Sequence, residues 1–459
     1  MISLSLSQYH LTNMAGQHQS PLFLITITSL SFMFSIASST SSLSPTSWST
    51  PPSSSSIPSH PASNSQPPQE AFAPISIPPQ PSQEPMVPIS SPPSPSPMPL
   101  PPQPPPPLAP YNISGLKGAY WPSFNNFPIF SINTSLFTHI FYAFLLPDPI
   151  TYQLSLTPND LQFLPQFSPT LKSLNPSIKT ILSIGGAGNN QTVFSAIASC
   201  GSHRATFINS AIAIARRFGF DGLDLDWEFP TNQGDMNNLG LLYQEWRNAL
   251  YLEATVTGRA RLSLSTAVYF MTSFFLDPVV RTYPAQLMGQ YLDWISPMCF
   301  DYHGSWSNLT GAHAALYDPN SNISTSSGIY SWIAGGVPPA KLVVGLALYG
   351  RTWELKDPGV NGVGAPAIGA GPGFEGAMVY ADIVEFNMVR KASVVYDQNL
   401  VSVYSYSGDA WIGYEDPSTI EKRVQFAKTH GLGGYFFWAL GQDKDWSITA
   451  RASASWEKY

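Results

Sequence analysis

Phe220-Asp221-Gly222-Leu223-Asp224-Leu225-Asp226-Trp227-Glu228-Phe229-Pro230 is the stretch on which the reading of the chain turns. Asp224, Asp226 and Glu228 alternate with Leu225 and Trp227, and on a strand residues two apart share a face at roughly 6.5–7 Å. Three carboxylates on one buried face are costly, and burial together with like charge pushes at least one pKa upward. A carboxyl group that stays protonated near neutrality is suited to donating its proton to a leaving oxygen. Pro230 ends the strand just past Glu228, which places that residue at the strand's C-terminal mouth. A solvated acidic face does not suit so apolar a segment. A hard-cation site would need a further carboxylate or His, and none is spaced nearby to complete it.

Outward from this segment, short apolar runs recur at Leu116–Trp121, Thr138–Phe144, Lys179–Ile184, Leu262–Tyr269, Leu292–Phe300, Leu342–Tyr349 and Gly434–Trp438. Most lack polar alternation, as strands buried on both faces do. Between them lie helical patterns. In Met236–Ala254, Leu239, Leu242, Tyr243, Trp246 and Leu250 fall at three- and four-residue spacing, and Ile208, Ile212 and Ala215 do so in Thr206–Arg217. Eight strands with intervening helices predict an α/β fold, a (β/α)8 TIM barrel, in which chemistry sits at the C-terminal strand ends. The stretch from Trp353 to about Glu415 is too long for one helix. It predicts a small α+β insertion between strands 7 and 8, with a helix near Tyr380–Val389 and strands at Ser393–Tyr396 and Val401–Tyr406.

The 459 residues divide unevenly. No Lys or Arg precedes Lys117, and 25 of the 45 Pro lie between Ser38 and Pro110 among Ser and Gln. Residues 38–111 are therefore expected to form a disordered Pro/Ser-rich stalk, stiffened by the Pro run at 101–107. Pro21–Ala37 is an uncharged apolar run ending in small residues, so 1–37 reads as a signal peptide, the alternative being a retained membrane anchor at 21–37. Asn112, Asn133, Asn190, Asn308 and Asn322 open N-glycosylation sequons, which suits a secreted, extracellular or cell-wall protein. Cys200 and Cys299 are the only cysteines, so no disulfide framework is indicated. Residues 112–459 carry 21 basic against 26 acidic side chains, Glu70 and Glu84 being the only acidic residues before them. A mildly acidic surface argues against nucleic acid and fits a neutral substrate. A monomer without metal or other cofactor is expected.

Asp221-x-x-Asp224-x-Asp226-x-Glu228 resembles the DxxDxDxE signature of glycoside hydrolase family 18, and about Leu116–Trp456 looks like the plant class V chitinases of that family. Further segments agree in order: Ser183-Ile184-Gly185-Gly186 resembles the SxGG of the third strand, and Met298-Cys299-Phe300-Asp301 the MxYD of the sixth. Tyr349-Gly350-Arg351 resembles the end of the seventh strand, and Gly434–Trp438 the eighth. The resemblance implies hydrolysis of chitin or N-acetylglucosamine oligomers by a retaining mechanism whose nucleophile is the substrate's own acetamido carbonyl. It makes Glu228 the proton donor and Asp226 the residue holding the acetamido N–H. Asp224 lies deeper, with Ser183 hydrogen-bonded to the acidic set and Asp221 in support. It puts Asp301 against both sugar and Glu228, and Met298, Phe300, Tyr302, Tyr349, Arg351 and Trp438 around the substrate, with Trp438 as the sugar's floor.

The chain departs from the family where MxYD has Tyr, for that position is Phe300. Tyr302 shares its strand parity and is expected to be the residue that reaches in. Loss of one positioning hydrogen bond costs about 1–3 kcal/mol, roughly ten- to a hundredfold in rate. Two other functions compete: a catalytically weak or silent, lectin-like binder on the same barrel, and a wall-anchored structural protein whose stalk is the working part. Retention of Glu228 argues for the enzyme.

Overall fold

The structure, a computed structural model, describes residues 115–458. The apolar leader, the Pro/Ser-rich stretch and the Asn112 sequon lie outside the described residues. Eight parallel strands form the centre: β1 (Leu116–Pro122), β2 (His139–Pro147), β3 (Lys179–Gly185), β4 (Gly222–Asp226), β5 (Ser263–Tyr269), β6 (Trp294–Met298), β7 (Val343–Ala347) and β8 (Gly434–Trp438). They are ordered β7-β8-β1-β2-β3-β4-β5-β6, and the parallel bridge Ile295↔Leu342 joins the two ends into a barrel. The strands are buried along nearly their whole length, which explains why their sequences do not alternate. Leu116, Tyr120, Phe141, Ile181, Val343 and Phe436 pack with Trp294 in the lumen, while Leu223, Leu225 and Trp227 face the helices. The helix Gln233–Thr257 buries Leu239, Leu242, Tyr243, Trp246 and Leu250. Asn232 caps its start, and Gly258, at φ 66°, ends it.

The insertion is larger than its sequence pattern predicts, for a physical reason. β7 ends at Ala347, and Tyr349–Leu355 pairs antiparallel with Ala410–Tyr414, Ala367–Ala370 and Ala377–Val379. Tyr349 and Arg351 thus open the central strand of the insertion's own six-stranded sheet rather than closing β7. The apolar run of β7 continues through Leu348 into Tyr349, the first residue of the next strand, so hydrophobicity alone does not mark the change of sheet. The helix Tyr380–Arg390 and the strands Ser393–Asp397 and Ser402–Ser407 complete the unit, with Trp353, Leu355 and Trp411 in a separate core. A hairpin, Ser273–Leu276 with Val279–Thr282, follows β5.

Candidate active site

Strand register builds the acidic centre. Ser183 on β3 and Ser265 on β5 stand level with Asp224, and Gly185 and Ala267 stand level with Asp226. Hydroxyls therefore flank the deeper carboxylate, and the two smallest residues flank the next one. Ser183 donates to Asp224 Oδ2 at 2.7 Å, Tyr120 donates to the same oxygen at 2.9 Å, and Ser265 donates to Oδ1 at 2.6 Å. Burial raises the pKa of Asp224, and these three donors act against the rise by favouring the anion. Asp226 has no such support: its Oδ1 is buried without a hydrogen-bond partner. Burial foremost, then the charges of Glu228 and Asp224, push its pKa well above the ordinary carboxylate range. Glu228, one step nearer the mouth, is pushed up to about 8 by burial and then by the charge of Asp301. The strand thus raises both Asp226 and Glu228 above the ordinary carboxylate range and keeps Glu228 protonated at neutral pH. Among the described residues no group of three or more His, Cys, Asp and Glu side chains has metal-holding geometry.

A pocket opens above these groups. Asp226 and Glu228 line it together with Met298, Phe300, Asp301, Tyr349, Arg351 and Trp438 from the expected set. Trp438 stacks on Phe144, ring centroids 5.6 Å apart at 14°, which fixes the face it presents. Gly186 permits this stack, because a Cβ there would fall 2.5 Å from the Phe144 ring. Asp301 accepts from Tyr349 Oη at 2.7 Å and from Arg351 Nε at 2.6 Å. Burial raises its pKa, yet the Arg351 guanidinium and the nearby His313 reverse this and hold the carboxyl well below the usual range. The ionised Asp301 makes no hydrogen bond to Glu228 and acts on it through its field. Arg351 lies over the Trp306 ring at 5.2 Å, so the half-exposed Trp306 extends the rim.

Two expected positions lie elsewhere. Tyr302 does not line the pocket: β6 stops at Met298, and Asp301 takes φ 60°, which breaks the parity that would pair Phe300 with Tyr302. Its ring packs on Phe270 at 4.5 Å and its hydroxyl meets Thr325 Oγ1 at 3.0 Å. Thr325 in turn accepts from Arg423, which is paired with the buried Glu415, so Tyr302 belongs to a polar chain beneath the insertion. Asp221 sits at the opposite, N-terminal end of β4, where it accepts from Thr180 N at 2.9 Å and pairs with Lys172 at 2.9 Å. Phe300, by contrast, faces the pocket with Tyr349 and Phe436 at its ring edges.

Residues absent from the sequence-based set include Tyr120, Ser265, Tyr269, Phe270, Phe436 and His313. Polar Ser263 and Ser265 on an otherwise buried strand were a usable signal for the second. The aromatics carried none, since a lumen tyrosine and a core tyrosine read alike.

Residues 117–443 match the family model for Glycosyl hydrolases family 18. A class V chitinase of Medicago truncatula, CHIT5a, is 54% identical over 344 residues, covering 74% of this chain and 90% of the relative. A mutant class V chitinase from Nicotiana tobaccum, solved in complex with NAG4, superposes with a TM-score of 0.72 at 39% identity, covering 75% of this chain and 99% of that one. A chitinase-like agglutinin from Robinia pseudoacacia superposes with a TM-score of 0.68, also at 39% identity, over 74% of this chain and 99% of its own. With the acidic strand, the barrel and the matched family model in agreement, the chain belongs to glycosyl hydrolases family 18.

Proposed function

We propose that this protein hydrolyses β-1,4 linkages between N-acetylglucosamine units of chitin or chitooligosaccharides with retention, using the substrate's acetamido carbonyl as nucleophile. One observation carries the reading: Glu228, held protonated up to about pH 8, stands beside the unpartnered carboxyl of Asp226 in a pocket shared with Trp438. Glu228 protonates the glycosidic oxygen, and the acetamido oxygen closes on the anomeric carbon to give an oxazolinium ion. Asp226 takes the acetamido N–H and, with Asp224 beneath it, offsets the positive charge. Glu228, now ionised, takes a proton from the water that opens the ring. Asp301 remains an anion fixed by Tyr349 and Arg351, and Trp438 offers a flat face to the sugar. The names of the relatives, chitinases among them, support this substrate class.

Phe300 favours a second reading, a binder with weak or no turnover, because it supplies no hydroxyl for the acetamido group. Incubating the full chain and its Glu228→Gln variant with N-acetylglucosamine tetramer separates the two. Product from the wild type alone supports the hydrolase, and equal binding with no product from either supports the binder. We also place the protein outside the cell: Asn133, Asn190, Asn308 and Asn322 are all exposed, as glycosylation requires. Loss of mass on treatment with an N-glycosidase tests that placement.

A further inference from the structure

A second pocket adjoins the first and shares only Trp438 with it. Its walls come from the loops after β1 and β8 and from the insertion. Phe124 and Phe374 add aromatic surface beside Trp438, and Asn126 and Gln442 add amide groups, a mixture suited to a sugar ring. Asp382 is the one charged residue in this lining. It is exposed, and among the described residues it has no hydrogen-bond or ion-pair partner. It lies in the first turn of the helix Tyr380–Arg390, where a carboxylate also meets the positive helix end.

The two pockets differ in charge. The first holds Glu228 as a neutral carboxyl, buries Asp226 at the barrel centre and pairs its ionised Asp301 with Arg351. The second presents an uncompensated anion. At its 2-position a neutral acetamido sugar offers Asp382 only an N–H, whereas a free 2-amine, protonated in mild acid, offers it a counter-ion. The chain as a whole, at a formal charge of −7, attracts a polycation. We propose that the second pocket is a subsite for a glucosamine unit, whose 2-ammonium is read by Asp382. The groove would then take partly deacetylated chitin, with an N-acetylated unit at Glu228 and a free-amine unit beyond Trp438. The location of the N-acetylated unit rests on the hydrolase reading; the selectivity of the second pocket does not.

The test uses the full chain carrying Glu228→Gln, titrated calorimetrically at pH 6 with the fully acetylated tetramer and the four tetramers bearing one glucosamine each. At least one single-amine isomer is expected to bind about two- to fivefold more tightly than the acetylated tetramer, the range of an exposed ion pair. That preference should vanish at about 0.5 M salt, where such pairs are screened. Adding Asp382→Asn should bring the ratio to one, and Asp382→Glu should restore it. No preferred isomer, or a preference that survives Asp382→Asn, overturns the proposal. A lower melting temperature for Asp382→Asn with the ratio unchanged also overturns it, by assigning the carboxylate to the helix end alone. Failure of the wild type to cleave the acetylated tetramer would count against the hydrolase reading only, since the affinity ratio is read in the Glu228→Gln protein.

Discussion

Replacing Glu228 by Gln should remove activity and at the same time stabilise the protein, by an amount that grows with pH. Burial and the charge of Asp301 raise the Glu228 pKa from 4.5 to about 8 in the fold. A raised carboxyl pKa means the folded state binds the proton more tightly than the unfolded chain does. Its stabilising effect is therefore complete below pH 4.5 and is lost as pH rises through 8. Each unit in that window costs about 1.4 kcal/mol, so the wild type should have lost about 3 kcal/mol from this group by pH 7. Gln fills nearly the same volume and does not titrate. The difference in unfolding free energy between variant and wild type should therefore widen from pH 5 to pH 8, reaching on the order of 5 °C in melting temperature. Removing the Glu228 charge also relieves Asp226, which acts in the same direction. Urea unfolding of both full chains across this range measures the effect. A difference that stays flat from pH 5 to pH 8 would refute the buried, proton-holding state of Glu228 on which the mechanism rests.

Asp301→Asn removes the charge that raises the Glu228 pKa, so the alkaline limb of the kcat/KM profile should move to lower pH; an unmoved limb would show that Asp301 does not act through its field. Phe300→Tyr restores a hydroxyl in the pocket and should raise kcat about tenfold on the tetramer with KM little changed, and a fall in kcat would mean that position does not serve the acetamido group. Ser265→Ala withdraws one of three donors from Asp224 and is expected to cost about 1–3 kcal/mol in thermal or urea unfolding, because the carboxylate cannot reach water to compensate. Thr325→Val breaks the link between Tyr302 and Arg423 and should cost a similar amount, with a loss of stability below about 0.5 kcal/mol arguing that the chain of contacts under the insertion is dispensable.

Much of the architecture was legible in local pattern. Strands buried on both faces appear as apolar runs of the right length, and helices between them appear as 3.6-residue periodicity, so the (β/α)8 order follows from the residues alone. Within the site, the strand alternation of Asp224, Asp226 and Glu228 put the three carboxyls on one face, and Pro230 put Glu228 at its mouth. What failed did so where the backbone left regular geometry. Parity carried Tyr302 toward the pocket, but the left-handed turn at Asp301 reversed it; Asp enters that region more readily than most residues, yet residue type does not single out which Asp will. The apolar run through Tyr349 concealed a switch from barrel strand to insertion sheet.

The sequence by itself determined the ingredients: a carboxyl at Glu228, two further carboxyls in fixed alternation, an aromatic side chain at Trp438 and a barrel to hold them. Only the tertiary structure decided their states. Cross-strand register brought Ser183, Ser265 and Tyr120 to Asp224 while leaving Asp226 unpartnered, and the insertion carried Tyr349 and Arg351 onto Asp301. Protonation depends on burial and on neighbours within a few ångströms, and those neighbours come from strands tens to more than a hundred residues apart in the chain.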